Sequence, residues 1–90
     1  MNKTKPETAM RELTMILMYL SRFNDRNRFG PEMDRTWKGY DFEVIDELDK
    51  EGNIMQGSHR SKSVYITDKG MELARALMNK YNILDWEARD

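Results

Sequence analysis

The chain has 90 residues and a mass of 10.8 kDa, which suits one small domain with a compact core. Its 15 Lys and Arg nearly balance its 16 Asp and Glu, for a formal net charge of −1. That excludes a histone-like polycation while leaving room for a local basic patch. The absence of Cys excludes disulfide scaffolds, thiol catalysis and Cys-based zinc sites, and a single His excludes a two-His metal site within one chain.

From about Pro6 to Phe23, Leu13, Ile16, Leu17, Leu20 and Phe23 recur at helical spacing, with Thr4 or Thr8 as a cap and Pro6 in the first turn. Met10, Met15, Met18 and Tyr19 widen the apolar surface well beyond one stripe. A helix apolar over most of its circumference is expected to be covered on two sides, the second cover being another copy of the chain. The longest apolar run, Met15 to Leu20, is far short of the roughly 20 residues that span a bilayer. No secretory signal pattern follows Lys3 and Lys5, so a soluble, cytoplasmic protein without a membrane partner is expected.

Residues 24–38 have no clear period. Asn24-Asp25, Asn27 and Phe29-Gly30-Pro31 are breaker signals, and residues 31–35 read as one or two helical turns with Pro31 first. A second helix is predicted from about Tyr40 to Glu51, with Tyr40, Val44 and Leu48 on one line and Phe42 and Ile45 widening the face. Gly52-Asn53 ends it, where a left-handed residue closes a helix. Ile54-Met55-Gln56 and Val64-Tyr65-Ile66-Thr67, separated by the polar loop 57–63, read as a hairpin with Ile54, Val64 and Ile66 facing the core. The last helix starts at Thr67 or Asp68 and turns Leu73, Ala74, Leu77, Met78 and Tyr81 inward. Residues 1–5 are expected to be a flexible N-terminus and 83–90 a C-terminal tail on a single domain.

Helix, connector, helix, two-stranded hairpin, helix is the order of a winged helix-turn-helix domain. Residues Gly39 to Ile54 resemble the recognition helix and its exit in PadR- and MarR-like regulators, where Leu-x-x-x-Gly precedes an apolar strand residue (here Leu48 to Gly52, then Ile54). Val64-Tyr65-Ile66-Thr67-Asp68-Lys69-Gly70 looks like their second wing strand with its Tyr-x-Thr-x-x-Gly ending. Trp37-Lys38-Gly39-Tyr40-Asp41-Phe42, taken with Lys62 to Thr67, is also similar to a small microbial domain family of unknown function. The resemblance spans about residues 37–80. It implies an α+β fold: a mainly helical winged helix-turn-helix-like domain with one two-stranded antiparallel wing. The connector departs from the pattern, being short and broken by Gly30-Pro31.

Charge qualifies the DNA binding that the resemblance implies. Between Tyr40 and Glu51 six acids (Asp41, Glu43, Asp46, Glu47, Asp49, Glu51) oppose Lys50 alone. Such a helix is repelled by phosphates and lacks the Arg, Asn or Gln that reads base edges, so it reads as a solvated acidic face. The wing loop is the opposite: His59, Arg60 and Lys62 interleave with Ser61 and Ser63 in an acid-free stretch. It reads either as a phosphate contact or as a solvated hairpin tip, with His59 itself a turn residue. Arg35 and Lys38, with Arg26 and Arg28, would extend a basic edge beside the wing, or else balance nearby acids.

Trp37 is expected to cap the core edge, and Trp86 either packs back on the core or anchors a partner. Met15, Met18, Tyr19 and Trp86 are the candidate face of a homodimer, although most of the eight Met read as adaptable core filler. No phosphate-cradling Gly-rich loop, nucleophile elbow or His–carboxylate pair is present. The expectation is therefore a non-enzyme with no cofactor, no metal and no identifiable small-molecule site. Its function would be that of a DNA-binding transcriptional or mobile-element regulator contacting double-stranded DNA through the wing. The alternative is a winged-helix-like protein–protein module using the acidic helix or a Met-rich dimer face.

Overall fold

In a computed structural model, which describes residues 3–25, 33–57 and 62–86, three helices and four strands form an α+β fold. Helix α1 (Pro6–Leu20) begins with Pro at its first position, where the missing N–H costs nothing. Helix α2 (Phe42–Lys50) is capped by Asp41, whose carboxylate accepts from the backbone N–H of Glu43 (3.0 Å) and Val44 (3.3 Å). Gly52, at φ +80°, then turns the chain into β3 (Ile54–Met55), a conformation that any Cβ would strain.

Strand β4 (Ser63–Ile66) returns antiparallel to β3, with Ile54 opposite Ile66. Ile54, Val64 and Ile66 all face the core, as alternation predicts. Helix α3 (Asp68–Lys80) is capped by Thr67, whose hydroxyl accepts from Gly70 N–H (3.0 Å) and donates to the carbonyl of Gly52 (2.6 Å). One side chain thus closes the start of α3 and ties it to the end of α2.

The connector differs from the sequence expectation. Residues 33–37 are a strand, not helical turns. Strand β1 (Phe23–Asp25) pairs antiparallel with β2 (Met33–Trp37), and β2 pairs with β4, so the β3–β4 hairpin is half of a four-stranded sheet in the order β1-β2-β4-β3. Phe23, expected on the first helix, is the first residue of β1. Pairing on both sides of β2 satisfies backbone groups that a single helical turn would leave open, and Thr36 fills a core position that helical geometry would not align with Val64. Among the described residues, one helix lies between β2 and the hairpin.

The core sits between this sheet and the helices. Met15, Ile16, Met18 and Tyr19 of α1 meet Val44, Ile45 and Leu48 of α2, and Met71, Ala74, Leu77 and Met78 of α3, over Ile54, Val64 and Ile66. At the far end of the fold Ile83 packs on the core and Trp86 turns back, its indole N–H donating to the carbonyl of Leu20 (2.7 Å). Asp85 accepts a hydrogen bond from the Tyr19 hydroxyl and another from the Trp86 backbone N–H. Trp86 is thus tied to the end of α1 within this chain, with half its surface exposed. Among the described residues no helix is long and apolar enough to cross a membrane.

Candidate nucleic-acid interface

Strand alternation separates the sheet into two faces. Thr36, Val64, Ile66 and Ile54 point at the helices; Phe23, Arg35, Trp37, Tyr65 and Met55 point the other way. The register places Phe23, Arg35, Tyr65 and Met55 in one row across all four strands, with Trp37 and Ser63 paired in the next. Trp37 is 60% exposed, so it does not cap the core edge as expected. It lies on the outer face, its ring 5.0 Å from that of Phe23 and tilted by 38°. The Arg35 guanidinium sits 4.7 Å from the centre of the Tyr65 ring, a cation–π contact that braces both side chains against the sheet.

Two of the cations predicted from sequence meet at the end of the β2–β4 pair, next to Trp37. Lys38 N–H donates to the carbonyl of Lys62 (2.9 Å), extending the β2–β4 ladder by one bond beyond Trp37 and Ser63. Lys38, Lys62 and Ser63 are thereby brought together, as a basic edge beside the hairpin requires, while Arg35 lies further along β2, opposite Tyr65. His59, Arg60 and Ser61 lie outside the described residues. Asp34, next to Arg35 on β2, alternates to the opposite face and pairs with Arg22 (3.7 Å). Sequence reasoning missed Phe23, Trp37, Tyr65 and Met55 as surface residues. Tyr65 could have been found, since it stands between two inward-facing neighbours; the others depend on a β1–β2 pairing that no periodicity announces.

The acids are elsewhere. Those of α2 line its exposed side, where Arg11 reaches Glu47 (3.4 Å) and Glu51 (3.9 Å), and the Gln56 amide donates to Asp46 (3.1 Å) and Asp49 (3.0 Å). A shallow groove between α1 and α2 is lined by Glu7, Met10, Asp41, Glu43, Val44 and Glu47. Phe42 stands in solvent beside it and does not widen the buried face of α2. On the α1–α3 seam, Lys80 (2.8 Å) and the Tyr81 hydroxyl (2.7 Å) donate to Glu12, and together they hold its carboxyl below the ordinary value of 4.5. The Tyr19 hydroxyl, with the Trp86 N–H, likewise lowers Asp85 from 3.8. Both are structural contacts rather than poised acids. Among the described residues no cluster of three or more His, Asp or Glu could hold a metal.

The candidate dimer face needs correction. Met15, Met18 and Tyr19 are buried in the chain's own core and cannot meet a second copy. The residues of α1 left outside are Met10, Leu13 and Leu17, each about half exposed (50%, 48% and 51%). Their spacing of three and four is that of a helix–helix seam. The sequence contained both faces; packing inverted their assignment.

Compared with known proteins, residues 6–84 match the family model DUF6429, a domain of unknown function, and the chain belongs to that family. It is similar to the uncharacterized protein y4hR of Sinorhizobium fredii, being 27% identical over 74 residues that cover 82% of this chain and 89% of the relative. No solved structure matches it.

Proposed function

We propose that this member of the DUF6429 family is a small nucleic-acid-binding protein, a transcriptional or mobile-element regulator on a winged-helix-like plan. Its affinity comes from the sheet rather than from α2. The observation that carries this reading is the meeting of Lys38 and Lys62 at one end of the β2–β4 pair, joined by a backbone hydrogen bond, with Arg35 further along β2 opposite Tyr65. Cations held along and at the end of a strand ladder offer phosphates a prearranged contact. The acidic α2, the element in the position of a recognition helix, is kept away from phosphate by its own charge. On this plan the β3–β4 hairpin serves as the wing, and β1–β2 stands where a second helix would precede the recognition helix.

The test is fluorescence anisotropy of labelled duplex and single-stranded oligonucleotides at several salt concentrations. Each neutralised phosphate contributes a log–log slope of about −0.9 on duplex and about −0.7 on a single strand. Lys38→Ala/Lys62→Ala should flatten the duplex slope by about 1.8. A slope unchanged in the double variant removes the sheet from the contact.

A second reading, a protein-interaction module, is favoured by the Met10-Leu13-Leu17 stripe running beside the acidic α1–α2 groove. A homodimer through that stripe would bury apolar area that otherwise costs about 25 cal/mol per Å² in water. Absence of binding to any oligonucleotide, together with a dimer in sedimentation, selects this reading over the first.

A further inference from the structure

Four observations on the outer sheet face go beyond phosphate contact. Its centre is aromatic: Phe23 and Trp37 form one pair and Tyr65 a second ring beneath Arg35. Trp37 is the most open of these, although a Trp at a strand position ordinarily finds cover. Met55, also exposed, closes the row on β3, so at ordinary strand spacing the row from Phe23 to Met55 is about 14 Å wide. Finally, Lys38 and Lys62 flank Trp37 at the end of the strands.

We infer that this face binds single-stranded nucleic acid, with unpaired bases stacking on Trp37 and on the Arg35–Tyr65 stack and the backbone running past Lys38 and Lys62. The inference rests on the nucleic-acid reading above and narrows its ligand. Exposed rings on a sheet recognise the π-face of a base, and in a duplex those faces are already occupied by neighbouring bases. A duplex would instead have to be read by an element entering the major groove. The helix available for that, α2, is acidic and carries no base-reading donor on its exposed side beyond Lys50. Cations beside exposed rings match the two chemistries of a single strand, charged backbone and open base, and the Arg35–Tyr65 stack adds a guanidinium plane to the platform.

The experiment compares an oligo-dT single strand with a duplex of equal length, titrated with the full chain and with Trp37→Leu and Trp37→Phe. The expected result is single-strand binding at least tenfold tighter than duplex. Trp37→Leu should weaken it by roughly tenfold or more, the effect of one lost base stack, while leaving duplex binding unchanged, and Trp37→Phe should restore most of it. In a Trp86→Phe background, where Trp37 is the one remaining indole, the single strand should quench its fluorescence; this reads the same contact even if Trp37→Leu fails to fold. Equal affinity for both nucleic acids with no effect of Trp37→Leu and no quenching overturns the inference and leaves the broader reading standing. No binding of either overturns both. A dimer that Trp37→Leu dissociates, without oligonucleotide binding, overturns the inference in favour of a contact between copies through this face.

Discussion

Replacing Gly70 by Ala sets a local rule against a tertiary one, and the two predict opposite signs. Gly70 lies in the first turn of α3, where Ala would ordinarily be worth about 1 kcal/mol more helix propensity, with a further few tenths from a stiffer unfolded chain. Yet a Cβ at Gly70 would stand 2.0 Å from the carbonyl oxygen of Asn53, 2.9 Å from its carbon and 3.1 Å from Ile66 Cγ2. A carbon–oxygen contact relaxes at about 3.3 Å, so helix and loop must part by more than about 1 Å. The obstacle is backbone, and it is pinned: the same Asn53 oxygen accepts from Thr67 N–H (3.1 Å), and the Thr67 hydroxyl holds Gly52 (2.6 Å). Overpacking costs about 1–3 kcal/mol, and loosening those two hydrogen bonds about 1 kcal/mol each. After the propensity gain is subtracted, a net loss of about 2–4 kcal/mol remains. In a chain whose total stability is on the order of 5–10 kcal/mol, that lowers the thermal midpoint by about 10 °C or more. Urea unfolding followed by circular dichroism, with Gly39→Ala beside it, measures this. A Cβ at Gly39 meets nothing within 4 Å, so that variant should stay within about 0.5 kcal/mol of the parent. A Gly70→Ala chain as stable as the parent, or more so, would refute the close approach of α3 to Asn53.

Two further outcomes follow from the packing. Thr36 is fully buried under the sheet and its hydroxyl has no hydrogen-bond partner among the described residues, so Thr36→Val should raise stability by about 1 kcal/mol in the same urea assay. A loss instead would mean that the hydroxyl is bonded. Acid should destabilise the fold through Glu12 and Asp85, because both carboxyls are held below their ordinary values by donors that exist only in the native chain. Their contribution is present above the unfolded values of 4.5 and 3.8 and is lost as pH falls through the lowered native ones. Each is worth about 1 kcal/mol or less, given partial exposure. Glu12→Gln/Asp85→Asn should therefore flatten the fall in urea midpoint below about pH 5; an unchanged acid limb would assign it to other carboxylates.

Much of this architecture is legible along the chain because its causes are local. Pro6 and the apolar period mark α1, Gly52 closes α2 through a backbone angle that suits glycine, and Thr67 announces α3 three residues before the amide that it caps. Alternation in Ile54 and in Val64-Tyr65-Ile66 is likewise enough to orient the hairpin. The remainder was decided by contacts between distant residues. In the second half of α1, from Leu13 to Leu20, every position but Thr14 is apolar, so periodicity could not choose between the faces. Packing against α2 and α3 chose Met15, Ile16, Met18 and Tyr19 for the core and left Met10, Leu13 and Leu17 outside. Residues 33–37 carry no strong local preference; they become a strand because β1 and β4 supply hydrogen-bond partners on both sides. That pairing alone turns Thr36 inward and Trp37 outward, and so creates the aromatic, cation-flanked face. Helical and strand periods describe one element at a time, whereas which side of it meets water depends on what the rest of the chain brings against it.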